Sequence, residues 1–117
     1  MKPHLAVISL WAEDPASAAH FYRDIIGLDM LHTGQHVPHF QLGETILVIQ
    51  KGRPQPVIDP VPDRFPVLAL AVESLEEKIE KLRLHGIELP WGIEGNAGAR
   101  WVMFYDPGGN LVELVES

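Results

Sequence analysis

The feature of this sequence that most constrains its fold is one local grammar written twice. Asp14 and Ser74, both helix-capping residue types, lie 60 residues apart, and Gly27 and Gly86, both placed where a helix should stop, lie 59 apart. Ahead of each cap stands a short apolar run, Leu5 to Trp11 (LAVISLW) and Val67 to Val72 (VLALAV), as expected of strands covered on both faces. Asp14 can accept hydrogen bonds from the free amides of a first helical turn, and Pro15 takes the first helical position, where its missing N–H costs nothing. Ala18, Phe21, Tyr22 and Ile25 follow at helical spacing, and Gly27 supplies the left-handed terminator. In the second half, Ser74-Leu75-Glu76-Glu77 has the spacing of a capping box.

After its glycine each half has room for three more strands. They are expected at about residues 29–33, 38–42 and 45–50, and then near Glu88–Trp91, Arg100–Tyr105 and Leu111–Val115. The last two are joined by the turn Asp106-Pro107-Gly108-Gly109-Asn110. Such a repeat is an internal duplication. It predicts an α+β fold of two tandem βαβββ modules, about 1–50 and 67–117, forming a shared curved-sheet cleft in which function should lie. The stretch 51–66 holds five prolines and reads as an extended linker.

A chain of 117 residues has room for one compact domain, so the two modules are expected to share it. With 9 Lys and Arg against 16 Asp and Glu, the net charge of -7 disfavours nucleic acid and anionic lipid as partners and suits a neutral or cationic ligand. The absence of cysteine removes disulfides, thiolate metal sites and a thiol nucleophile. No run approaches the roughly 18 apolar residues of a membrane span. The N-terminus shows no cleavable leader pattern either, and a cytoplasmic protein is expected.

The residues His20-Phe21-Tyr22-Arg23-Asp24-Ile25-Ile26-Gly27-Leu28 resemble the first-helix signature of the vicinal oxygen chelate (glyoxalase/bleomycin resistance protein/dioxygenase) superfamily. Phe104-Tyr105-Asp106-Pro107-Gly108-Gly109-Asn110-Leu111-Val112-Glu113-Leu114 is similar to its closing hairpin. With the duplicated grammar, the resemblance covers essentially the whole chain and implies the paired-module fold. It leaves the chemistry open among glyoxalase-like isomerases, extradiol dioxygenases, epimerases, thiol transferases for antibiotics and non-catalytic drug-binding proteins.

Metal-dependent members of that superfamily place His, Gln or Glu on the first and last strand of each module. Counting from the caps and the closing motif, the resemblance puts these four positions at Val7, about Val48, Val67 and Glu113. Valine has no lone pair, and one carboxylate alone holds a transition metal weakly. No tightly bound metal and no cofactor are therefore expected. Against this stand the histidines. His4 lies three residues before Val7, an odd separation that turns it to the other face. His36 and His39 flank Val37-Pro38 in an expected turn, although His39 could begin a strand and face the cleft. His20 and His85 fall on helices and read as surface.

Alternation gives Leu5, Ser9 and Trp11 the parity of Val7. Phe104 matches the superfamily aromatic that packs on a helix, which turns Trp101, Met103 and Tyr105 to the cleft. The expected ligand-binding set is Trp11, His39, Val48, Trp101, Met103 and Glu113, apolar and aromatic around one carboxylate. Arg100 is the structural candidate to pair with Glu113. This set suits a metal-free homodimer that sequesters a small aromatic or cationic compound. The alternatives are a metal-dependent lyase, isomerase or dioxygenase using Glu113 with His4, His36 or His39, an enzyme with Glu113 as general base, and an interaction module with no small ligand.

Overall fold

The computed structural model describes residues 2–32, 37–53 and 66–116. The chain divides into two compact units, Met1–Gln55 and Pro56–Ser117. In the first, strand β1 (Val7–Ala12) leads through helix α1 (Pro15–His20) and a π-helical turn (Phe21–Ile26) to β2 (Asp29–Leu31), β3 (His39–Leu42) and β4 (Thr45–Lys51). The sheet order is β1-β4-β3-β2, with β1 parallel to β4 and the other pairs antiparallel. In the second unit, β5 (Leu68–Ala71) and helix α2 (Leu75–Leu84) precede β6 (Glu94–Gly95), β7 (Arg100–Tyr105) and β8 (Leu111–Glu116). Its order, β5-β8-β7-β6, repeats that of the first sheet, again with one parallel pair at the helix crossover. The duplicated grammar is thus a duplicated topology, an α+β fold of two βαβββ modules.

The caps act as their residue types require. The Asp14 carboxylate accepts from the amides of Ala16 and Ser17 at 3.1 and 3.3 Å, and the Ser74 hydroxyl accepts from Glu77 at 3.3 Å. Gly27 ends the first helix at φ 92°, a conformation open to glycine at little cost. One feature departs from the expected regular helix: Phe21–Ile26 is π-helical. Bonding from i to i+5 brings Phe21 and Ile26 over one another, so that Phe21, Tyr22, Ile25 and Ile26 are all buried. Tyr22 lies 6.2 Å from Phe40 of β3 between ring centroids and meets Phe21 edge-on at 5.2 Å.

In each unit the helix covers one face of the sheet. Leu10, Ala12, Phe40, Leu47 and Ile49 are buried in the first unit, as are Leu68, Val102, Phe104, Val112 and Leu114 in the second, beside Leu75, Ile79 and Leu82 of α2. The strand expected near Glu88–Trp91 is instead a turn, with the Gly92 amide on the Leu89 carbonyl at 3.0 Å. Pro90 has no N–H for a ladder and Gly92 takes φ 64°, so pairing is deferred to Glu94–Gly95. Most of the proline-rich stretch 51–66 lies outside the described residues. So does His36.

Two polar arrangements fasten the second unit. Asp106 is 5% exposed, and its carboxylate accepts from the amides of Gly108 and Asn110 at 2.9 and 2.8 Å and from Asn110 Nδ2 at 3.0 Å. Glu116 accepts from the Leu75 amide at the start of α2 at 3.4 Å and from Arg100 Nη2 at 2.7 Å, and that guanidinium holds its carboxyl below the usual carboxylate range. Asp106→Ala should cost about 3 kcal/mol in urea unfolding, because several amide donors lose their acceptor together. A carboxyl whose folded pKa is depressed stabilises fully above its unfolded value and less as pH falls through the folded one. Stability below pH 4.5, the ordinary value for this group, should therefore fall more steeply in the wild type than in Arg100→Ala, as read by acid titration of the unfolding midpoint.

Candidate functional site

Strict alternation means that committing one sheet face to the helix assigns every other side chain to the opposite face. In the first unit that opposite face is laid out in rows by the strand register. Ser9 pairs with Val48, Val48 with His39 and His39 with Leu31; a second row runs Val7, Ile46, Gln41 and Asp29; a third pairs Trp11 with Gln50. Trp11, Val48 and His39 therefore share a face. Val48 is only 5% exposed, His39 is half-buried, and Val7 and Trp11 are each 51% exposed. His39 Nδ1 lies 2.8 Å from the Val37 carbonyl. A carbonyl only accepts, so Nδ1 is the donor of this bond, and in the tautomer with that donor the lone pair lies on Nε2.

Trp11 has a shaped seat. The Gly52 amide donates to the Ala12 carbonyl at 3.0 Å, extending the β1–β4 pairing by one residue and laying the glycine beneath the indole. A Cβ at Gly52 would stand 2.5 Å from Trp11 Cε3 and 3.2 Å from Cζ3. Backbone without a side chain is what lets the ring sit there.

In the second unit the face away from α2 carries Ala69, Glu113 and Met103 in one row and Ala71, Val115, Trp101 and Glu94 in the next, with Leu111 beside Tyr105. Met103, Trp101 and Glu113 are thus neighbours, all half-buried. Tyr105 lies 5.9 Å from Trp91 between ring centroids. The expected pairing of Arg100 with Glu113 is corrected. Arg100 is in register with Glu116 and Glu113 with Met103, an odd offset that puts the guanidinium on the opposite face, bonded to Glu116 at 2.7 Å and 3.8 Å from Glu76. A recess of about 310 Å³ there, lined by Glu73, Asn96, Arg100 and Glu116 among others, contains none of the expected site residues.

His4 precedes β1 and is exposed. Val67 precedes β5 and is 40% exposed. At the four positions where the resemblance implies metal ligands stand Glu113 and three valines, and valine side chains have no lone pair to offer an ion. Among the described residues no three His, Cys, Asp or Glu side chains gather as a metal cluster would require. Several residues of these faces, Asp29, Gln41 and Glu94 among them, were missed from sequence, Glu94 because a strand was expected at Glu88–Trp91. Its only sequence signal is acidic character beside a glycine, and its place opposite Trp101 follows from the register alone.

Filling the space under the indole tests the seat of Trp11. In a chain with Trp91 and Trp101 replaced by Phe, Gly52→Ala should move the ring, altering its near-ultraviolet dichroism and shifting its emission to the red, at a stability cost of about 1 kcal/mol.

The sequence model of the Glyoxalase/Bleomycin resistance protein/Dioxygenase superfamily matches residues 4–114. No curated protein matches this chain. Among solved structures, a fosfomycin resistance protein, FosX, from Listeria monocytogenes is similar with a TM-score of 0.79 at 19% identity, covering 100% of this chain and 95% of that one. A lactoylglutathione lyase from Agrobacterium tumefaciens gives a TM-score of 0.72 at 22% identity, with 100% and 96% covered. TnmS3, an antibiotic binding protein from a Streptomyces species, gives 0.71 at 21%, with 98% and 96% covered. At these identities the likeness speaks for the fold, and the matched residues speak for descent: the chain belongs to the Glyoxalase/Bleomycin resistance protein/Dioxygenase superfamily.

Proposed function

We propose that this chain is a metal-free small-molecule-binding protein that sequesters an aromatic or cationic compound, acting in the cytoplasm as a homodimer. What supports this reading is the donor set that the resemblance implies: at the four positions it assigns to metal ligands stand Val7, about Val48, Val67 and Glu113, a single oxygen donor. The remaining chemistry of these faces suits stacking. Trp11, Trp101, Met103 and Tyr105 offer aromatic and polarizable surface, and the residues in register on these faces include Glu113 and Asp29 but no Lys or Arg. A ring carrying positive charge gains about 0.5–2 kcal/mol from an aromatic face and more beside a carboxylate. The likeness to an antibiotic binding protein accords with binding without turnover. The reading treats residues 1–117, with the proline-rich stretch 51–66, as one functional domain. Leu5, Val7 and Trp11 leave apolar surface at edge strand β1, which supports association of two copies.

One observation favours a second reading, a metal-dependent lyase, isomerase or dioxygenase. His39 lies directly opposite Val48, and its Nδ1 bond to Val37 leaves Nε2 as a ligating lone pair. Metal analysis after native purification separates the two. The proposed function expects well below one equivalent of any transition metal. Stoichiometric Ni, Zn, Mn or Fe, lost in Glu113→Ala, would establish the enzyme reading instead. Titration with planar cationic drugs should quench tryptophan emission, with the response reduced in Trp101→Phe and Trp11→Phe. Light scattering should return about twice the 13.0 kDa of one chain.

A further inference from the structure

Strand β1 has a neighbour, β4, on one side, and among the described residues no strand pairs with its other edge. Sheet edges are ordinarily guarded by charged side chains, proline, bulges or shortness, because their N–H and C=O groups template further pairing. Strand β1 has none of these guards. Its six residues, VISLWA, carry no charge and no proline, and they run in unbroken register from Val7 opposite Ile46 to Ala12 opposite Lys51. The other end of the same sheet, β2, is three residues long and begins at Asp29.

The carbonyls of Ala6 and Ala12 accept from the amides of Ile46 and Gly52, so parallel pairing commits the even-numbered residues to β4 and turns the backbone groups of Val7, Ser9 and Trp11 outward. Val7 and Trp11 are half exposed, Leu5 more so, and the Trp11 indole leans over Gly52, away from that edge. The ends of the segment are opposite in charge: Lys2 and His4 precede the apolar run, and Glu13 and Asp14 follow it. An antiparallel copy of the segment is therefore its complement. With Ser9 opposite Ser9, Val7 falls opposite Trp11 and the basic start lies along the acidic end.

We infer that β1 is a docking edge for a second copy of this chain, whose own β1 adds antiparallel about a twofold axis at Ser9 and joins two four-stranded sheets into one. The inference rests on the homodimer proposed above and gives it a register. A twofold contact of this kind is self-complementary and closed, so it covers the edge without propagating into a filament. It also brings the partner's Val7 beside Trp11 on the face of the candidate site. Strand β5, at the edge of the second sheet, offers Ala69 and Ala71 where β1 offers Val7 and Trp11, and would bury less apolar surface in such a pairing.

The chain has no cysteine, so a single introduced thiol reports its own neighbours. In Ser9→Cys the paired Cα atoms would lie about 5.5 Å apart, within disulfide reach, and mild oxidation should convert most of the chain to a covalent dimer. Gln41→Cys, on the same face but in β3, should stay single on a denaturing gel. Ser9→Lys sets two ammonium groups against each other at the axis and should raise the concentration at which light scattering finds half the chains dimeric by roughly tenfold or more, with far-ultraviolet dichroism unchanged. A wild type at 13.0 kDa overturns the homodimer and this inference together. A dimer in which Ser9→Cys crosslinks no faster than Gln41→Cys overturns the edge pairing and leaves the homodimer standing, the result expected if β5 of another copy occupied the edge. A wild-type midpoint in Ser9→Lys overturns it in the same way.

Discussion

The burial of Phe21, Tyr22, Ile25 and Ile26 with Phe40, Leu47 and Ile49, Tyr22 against Phe40, is the packing on which the first unit depends, and the burial of α2 with Val102, Phe104, Val112 and Leu114 is its counterpart in the second. Each large apolar side chain removed from water contributes about 1.5–3 kcal/mol, so a slip of one residue in any strand would exchange a buried set for polar or half-exposed neighbours at a cost far above any local gain. The candidate site is the complement of that packing. His39 faces away from the helix because Phe40 must face it, and Glu113 faces away because Val112 and Leu114 do not. The side chains of the candidate site are therefore positioned by the buried residues behind them.

The charges follow the same division. In the second unit the described cation on the helix side of the sheet, Arg100, is committed to Glu116 and Glu76, where it ties the end of β8 to the start of α2. This leaves the other face with carboxylates and aromatic rings. The arrangement costs little, because the ion pairs are exposed and individually weak.

Several parts of this structure were legible in the amino-acid order because their partners are close along the chain. Asp14 meets amides two and three residues ahead, Ser74 meets Glu77, and Asp106 closes a turn onto Gly108 and Asn110. The alternation that groups Trp101 with Met103, or Val7 with Trp11, is a property of any extended strand. Other parts were not legible. The π-helical turn depends on four large side chains finding a common sheet face, which helical periodicity does not disclose. The strand at Glu94–Gly95 depends on where β7 offers free backbone groups, and the local composition around Pro90 pointed elsewhere.

What the sequence by itself determined is the repeated module, its caps and stops, and the face of each strand that must be apolar. All are set by short-range hydrogen bonding and by the two-residue period of a strand. Only the tertiary structure decided the register: which residue lies opposite which. Register arises from backbone pairing between distant segments, and it alone separates Arg100 from Glu113, sets His39 beside Val48, lays the Trp11 indole on Gly52 and brings Glu94 to Trp101.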